Sequence, residues 1–241
     1  MPRKPGPMVK VTRNGPYLVS GNLPLSRQII LADEEGYSER WENGDSYPRK
    51  KAYSLCRCGQ SGNKPFCDSS HLRARFKGKE VASRKPYLVQ AGKIEGPRLD
   101  LYDARKLCSS ARFCDRGKGI WQLTEESGNP ESRKQAIREA CDCPSGRLVI
   151  CDRKSGKPIE PKLPQSIGIV EDPEAGVSGP IWVRGRIPVV SSRGTQYEVR
   201  NRVTLCRCGK SGNKPFCDGT HIPAGFIDGD SSLENKKSQQ D

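Results

Sequence analysis

Six of the chain's eleven cysteines and both of its histidines lie in two stretches of seventeen residues that are nearly identical. The first reads LCRCGQSGNKPFCDSSH from Leu55 to His71, the second LCRCGKSGNKPFCDGTH from Leu205 to His221. They differ at three positions: Gln60/Lys210, Ser69/Gly219 and Ser70/Thr220. Each is a C-x-C-x8-C-x3-H array, offering Cys56, Cys58, Cys67 and His71 in one copy and Cys206, Cys208, Cys217 and His221 in the other. Thiolates and an imidazole at short fixed spacing, in a loop rich in Gly, Pro and Asn, indicate a metal site. The tight turns predict that three thiolates and one imidazole converge on one point. Zinc accepts such a set, usually with a C-x2-4-C pair. The closer C-x-C pair, with all four ligands in one short loop, suits a cluster at the surface instead.

The stretch resembles the CDGSH iron-sulfur family, the mitoNEET-like proteins, whose pattern is C-x-C-x2-S/T-x3-P-x-C-D-G-S/A/T-H. The second copy follows it throughout, at Cys206, Cys208, Ser211, Pro215, Cys217, Asp218, Gly219, Thr220 and His221. The first departs at one position, with Ser69 where the family has Gly; a glycine there serves close approach or a positive φ. The resemblance implies one [2Fe-2S] cluster per copy, held by three Cys and one His. The competing reading is a zinc knuckle.

The other cysteines are Cys108, Cys114, Cys141, Cys143 and Cys151. Cys108-Ser-Ser-Ala111-Arg-Phe-Cys114 keeps a C-x2-C-x2-C spacing with Ala111 in the middle position, and Cys143-Pro144 follows far downstream. Residues 99–151 resemble single-cluster bacterial ferredoxins, in which a remote Cys-Pro supplies the last ligand. With the middle Cys missing, the resemblance implies a [3Fe-4S] cluster on Cys108, Cys114 and Cys143. Cys141 is the rival candidate: as a fourth ligand it makes the cluster [4Fe-4S], but on the apolar face of a helix it is equally a core residue. Cys151 has no spacing partner and reads as a small buried hydrophobe. A structural zinc site is the alternative for this region.

These residues need elements to hold them. GPYLVSGNLPL at 15–25 and GPIWVRGRIPV at 179–189 match in register, so the repeat extends upstream of the cysteine loops as strands bounded by Gly and Pro. The first copy carries about fourteen extra residues around Asp33–Pro48, a polar segment with Trp41. The second has a turn at Ser191–Gly194 followed by a strand over TQYEVRNRVTL. In the middle, residues 99–102 predict a strand, Asp103 onward a helix carrying Leu107, Ala111 and Cys114, and residues 120–123 a strand. Asn129-Pro130 predicts the cap and first turn of a helix that stops before Cys143-Pro144. The fold class expected is α+β: two β-rich repeats forming an intramolecular pseudo-two-fold pair, with a small ferredoxin-like α+β insert. The divisions are 10–80 for the first repeat, 86–155 for the insert, 156–178 for an extended Pro/Gly-rich linker, 179–228 for the second repeat, and 229–241 for a disordered tail. Residues 1–9 are expected to fray, and basic residues 72–87 to form a solvated linker.

The chain has 241 residues, 33% hydrophobic, with a formal net charge of +14. Low apolar content suggests small cores, with metal supplying folding energy. Grouped free cysteines imply a reducing compartment, and the absence of an apolar span or leader pattern in the sequence implies a soluble, cytoplasmic chain with no membrane partner. Nucleic-acid binding is disfavoured because no basic helix or interleaved aromatics accompany the charge; attraction to an acidic redox partner accounts for it better. No Walker loop, dinucleotide fingerprint or nucleophile elbow is present, and no histidine is left over for acid-base work, so an enzyme is not expected. The leading function is one-electron transfer with a redox partner protein. Storage or delivery of clusters to an apo iron-sulfur acceptor, or redox sensing, comes second, and a zinc-stabilised nucleic-acid adaptor third. A monomer with an internal pseudo-dimer is expected, with a homo-oligomer as the alternative.

Overall fold

The computed structural model describes residues 6–233. Its strands are β1 (Met8–Val11), β2 (Tyr17–Ser20), β3 (Leu25–Ala32), β4 (Ser38–Ser46), β5 (Ala52–Leu55), β6 (Gly92–Glu95), β7 (Leu99–Asp103), β8 (Leu148–Asp152), β9 (Pro158–Ile159), β10 (Ser166–Asp172), β11 (Val177–Arg184), β12 (Val189–Val190) and β13 (Arg202–Leu205). Four helices join them: α1 (Ser70–Arg73), α2 (Tyr87–Gln90), α3 (Gly119–Glu125) and α4 (Pro130–Asp142). No helix among the described residues is long and apolar enough to cross a membrane.

The α+β fold with paired repeats is borne out, and the repeats exchange strands. One sheet runs β12-β1-β2-β5 and the other β13-β11-β10-β3-β4. Thus β3 of the first repeat lies parallel to β10 of the second, with Leu25 opposite Ile167. Reciprocally, β12 of the second lies parallel to β1 of the first, with Val189 opposite Val9. The backbone bonds repeat as well: Ile167 N donates to Pro24 O and Val9 N to Pro188 O, both at 2.9 Å. Val9, Val11, Tyr17 and Leu55 share one buried cluster with Ile167, Ile169, Ile181 and Leu205. Neither repeat closes a core alone, since each supplies a strand to the other's sheet, β3 beside β10 and β12 beside β1, and apolar residues of both fill one cluster.

Strand β10 corrects the expected linker. Residues 166–172 are buried throughout, sandwiched between β11 and β3. Its apolar stretch, Ile167–Val170, is too short and lacks the alternation that would mark a strand. The second repeat therefore begins about a dozen residues earlier than its Gly-Pro signal.

The insert is a sheet β6-β7-β8-β9 covered by α3 and α4, with Leu99, Leu101, Ile120, Leu123, Ala136, Ala140, Leu148 and Ile150 in its core. Helix α4 starts as expected: Asn129 Oδ1 accepts from Glu131 N at 2.8 Å and Ser132 N at 3.2 Å, with Pro130 in the first turn. Helix α3 replaces the strand expected at 120–123. Ile120, Leu123 and Thr124 share its buried face, and four residues are too few to separate the two periods. The helix expected after Asp103 is only a 3-10 turn at Arg105–Leu107. Beyond it Ser110 (φ 55°) and Arg112 (φ 58°) are left-handed, which ends any helix.

The polar segment at 33–48 is structural. It forms β4 opposite β3, and Trp41 stacks between Phe113 of the insert (4.9 Å) and Trp182 of the second repeat (4.6 Å). Trp41 Nε1 donates to Asp142 O at 3.0 Å, and Arg116 reaches back to the carbonyls of Ser38 and Glu39. The rest of the 195–205 strand shrinks to β13, because residues 195–201 form only one isolated bridge, Val190 to Gln196. Three expected loose segments are ordered where described. Val9 is buried in β1, Val81 N and Ala82 N both donate to Lys214 O, and in the expected tail Asp230 pairs with Arg27 and Leu233 is buried. Residues 1–5 and 234–241 lie outside the described residues.

Candidate metal centres

Each cysteine loop hangs from the end of a strand, β5 or β13, and is closed by the same bonds in both copies. Cys56 N donates to Pro65 O at 2.8 Å and Cys206 N to Pro215 O at 2.9 Å. The preceding peptides, Lys64-Pro65 and Lys214-Pro215, are both cis. Ser61 Oγ donates to Phe66 O at 2.7 Å and Ser211 Oγ to Phe216 O at 2.8 Å. Asp68 accepts from Gly62 N and Ser70 N, and Asp218 from Gly212 N and Thr220 N. The bonds from Ser70 and Gly62 hold the Asp68 carboxyl well below its usual range. At Asp218 burial opposes ionisation, but the bonds from Thr220 and Gly212 outweigh it.

The four donors of each loop do not converge on one point, contrary to expectation. They form two pairs. Cys56 Sγ and Cys58 Sγ are 3.8 Å apart, and Cys67 Sγ lies 3.5 Å from His71 Nδ1. In the second loop Cys206 and Cys208 are 3.7 Å apart, and Cys217 lies 3.5 Å from His221 Nδ1. Two ligands on one tetrahedral metal, with metal–sulfur bonds of about 2.3 Å, sit about 3.8 Å apart. Each pair is thus spaced for one metal. Among the described residues no three His, Cys, Asp or Glu groups are placed to share a single ion.

The donor chemistry fits a bound cationic centre. Burial pushes the Cys58 thiol up to about 11 and raises Cys217 and Cys114 as well, so these thiolates need a metal to be stable. Its bond with Cys206 drives Cys208 down to about 7. Burial, then the Arg207 charge, pushes His221 down to about 4, leaving a neutral imidazole ready to ligate. Backbone N–H groups already point at sulfur: Gln60 N to Cys58, Ser69 N to Cys67 and Lys210 N to Cys208, at 3.4 to 3.5 Å.

The two loops face each other. A Cβ at Gly59 would lie 2.6 Å from Cys208 O, and one at Gly209 would lie 2.5 Å from Cys58 O. Both glycines have positive φ, 77° and 78°. No side chain fits at either, so the glycine after each C-x-C pair serves the contact between repeats. Tyr17 reinforces the contact, its hydroxyl 2.8 Å from Cys206 O and 3.0 Å from Pro215 O.

The insert holds the third group. Cys108, Cys114 and Cys143 line a small cavity of about 20 Å³ together with Ala111, Ser145 and Arg147. Ser110 N points at Cys108 Sγ at 3.4 Å. Cys141 is not part of that lining: it faces β9, with its thiol 3.9 Å from Ile159 O. Cys151 is buried in β8. The cavity loop also meets the second repeat. Asn213 Nδ2 donates to Lys106 O at 2.7 Å, Arg112 makes a bidentate pair with Asp172, and Ser110 abuts Gly219.

Sequence reasoning missed the arginines. Arg57 and Arg207, between the paired cysteines, are 1% and 2% exposed. Arg207 pairs with Glu171 and Asp228, whereas Arg57 donates to the carbonyls of Thr12 and Gly78. Their recurrence inside both C-x-C motifs was the available signal. Arg147 had none: its guanidinium spans Asp103 and, at 3.2 Å, Cys108 Sγ.

The comparisons with known proteins agree with this layout. The family model described as iron-binding zinc finger CDGSH type matches residues 14–72 and again 178–222. The model described as divergent 4Fe-4S mono-cluster matches residues 94–153, between them. No curated protein and no solved structure matches the chain. The chain carries two domains of the CDGSH family flanking a divergent 4Fe-4S segment, and it is an iron-sulfur protein.

Proposed function

We propose that this chain carries three iron-sulfur centres and passes single electrons along them. Cys56 with Cys58, and Cys67 with His71, would hold the two irons of one [2Fe-2S] cluster. Cys206 with Cys208, and Cys217 with His221, would hold another. Cys108, Cys114 and Cys143 would hold a [3Fe-4S] cluster, or a [4Fe-4S] cluster with a ligand other than cysteine at the position of Ala111. Bound there, such groups take up and release one electron with little rearrangement. The observation that carries the reading is the pairing of donors at single-metal spacing, which favours a binuclear group over one zinc ion.

The chain's own residues set an order. The insert's loop packs on the second cysteine loop, and the second packs on the first through Gly59 and Gly209. The second site is therefore the intermediate station. Arg147 and the backbone amides stabilise thiolate charge and raise the ease of reduction. A second reading, delivery of a cluster to an apo-protein, is favoured by the half-buried Cys67 and His71 of the first loop. Anaerobic purification with iron, zinc and sulfide analysis and electron paramagnetic resonance tests both. About seven irons per chain, with an oxidised-state signal lost on reduction, supports the relay. About eight makes the middle cluster [4Fe-4S]. Four irons with one zinc removes the middle centre, and zinc alone overturns the reading. Transfer of the visible absorption to an apo-ferredoxin, abolished by His71→Cys, would put delivery first.

A further inference from the structure

An open groove of about 660 Å³ lies beside the insert, between the end of α2, strand β6 and the 3-10 turn at Arg105–Leu107. Its wall meets the lining of the middle cavity where Asp103 of the groove pairs with Arg147 of the cavity. The half-buried Trp121 in that wall donates from Nε1 to Asp103 Oδ2 at 3.1 Å. Asp103 accepts from Arg147 Nε and Nη2 at 2.6 and 2.7 Å. Arg147 Nη1 reaches Cys108 Sγ, and its guanidinium lies 5.5 Å from the Trp121 ring centre. An indole, a carboxylate and a guanidinium thus join the groove surface to a cysteine of the cavity.

The charges on this groove do not balance. Lys93 is paired with Glu95 and Asp100, and Asp103 is paired with Arg147. Lys85, Arg105 and Lys106 are exposed and make no ion pair with any described residue. Beside them Leu88 and Val89 on α2 are 62% and 67% exposed. The chain's own residues 234–241, ENKKSQQD, have two acids and two lysines and no charge to match.

We propose that this groove is the docking site of an acidic redox protein, which exchanges one electron with the middle centre through the Trp121 side. The inference rests on the electron-transfer reading above and adds the place of entry and the chemistry of the partner. A partner with carboxylates around a small apolar contact would meet the three free cations and the Leu88–Val89 edge. A polyanionic strand is favoured less, because only three cations are free and the floor is apolar. In the transfer, one electron leaves the reduced partner and enters the middle site; no bond forms or breaks.

The test uses the fully loaded chain and a reduced, acidic plant-type [2Fe-2S] ferredoxin as probe. The middle centre's signal is followed by rapid-freeze electron paramagnetic resonance at low and high salt. Arg105→Glu with Lys106→Glu is expected to slow its reduction at least tenfold at low salt, with the difference shrinking at high salt. Lys162→Glu with Arg193→Glu, which makes the same change in net charge elsewhere on the surface, is expected to keep the original rate. Equal slowing in both pairs means general attraction only and overturns the site, as does slowing in neither. A single-stranded oligonucleotide that blocks reduction of the original chain but not of the Arg105/Lys106 variant, at physiological salt, overturns it in favour of nucleic acid. Absence of any reducible centre on Cys108, Cys114 and Cys143 overturns the electron-transfer reading as well, and is visible in the probe-free spectrum.

Discussion

The two cysteine loops have nearly the same sequence and quite different surroundings. In the first, Cys67 and His71 are half-buried, and Ser69 beside them is exposed. In the second, Cys217 and His221 are 2% and 3% exposed, beneath the insert's Cys108–Arg112 loop. The arginines differ likewise. Arg207 sits in a closed network with Glu171, Asp228 and Arg27, while Arg57 is held by two carbonyls and the rings of Tyr17 and Phe76. Ligand identity is thus a local property, fixed within seventeen residues. Access of water, chelators and partners is a property of what the rest of the chain lays over the loop.

The sharpest way to separate the loops is to remove each arginine. Arg207→Leu leaves Glu171 and Asp228 buried with fewer cations, and is expected to cost about 3–5 kcal/mol of unfolding free energy in urea. Arg57→Leu breaks hydrogen bonds to two carbonyls and the guanidinium contacts with the Tyr17 and Phe76 rings, and is expected to cost about 1–3 kcal/mol. Equal losses would mean that the carboxylates around Arg207 contribute nothing.

Next in size is Gly219→Ser, which copies the first loop's residue into the second. At φ 85° and against Ser110, the new side chain is both strained and crowded. A loss of about 2 kcal/mol is expected, together with a change in the middle centre's spectrum through the shifted Cys108 loop. An unchanged spectrum would show that the two loops are not mechanically joined.

Exposure predicts a smaller kinetic difference. In variants retaining one paired site each, His221→Ala for the first and His71→Ala for the second, an iron chelator is expected to bleach the first site about tenfold faster, a difference of about 1.4 kcal/mol in barrier. Equal rates would assign release to the ligands alone. The smallest effect is Ser69→Gly. Ser69 sits at φ 70° with an exposed side chain, so glycine relieves backbone strain there, for a gain of about 0.5–1 kcal/mol by thermal unfolding. A loss would show that Ser69 makes a stabilising contact.

Much was legible because it repeats or is punctuated. The loops, the upstream Gly-Pro strands, the α4 cap at Asn129-Pro130 and the left-handed position at 69 and 219 could be read from residue type and spacing. Strand β10 could not, because its apolar stretch is only Ile167–Val170 and its buried polar residues Ser166, Glu171 and Asp172 read as loop. The 120–123 stretch was misread because four residues fit either period, and its helical face appears only against β6 and β7.

By itself, then, the sequence determined which atoms are available as ligands, in what order, and how often. Thiolates and imidazoles at fixed short spacing within one turn-rich loop leave few arrangements. Only the tertiary structure decided that the donors separate into pairs and that the repeats trade strands. The same holds for Trp41, which clamps the insert onto the second repeat, and for Arg147, which reaches Cys108 across 39 residues of chain. Those contacts depend on long-range packing of buried apolar faces, and no local spacing records which face meets which.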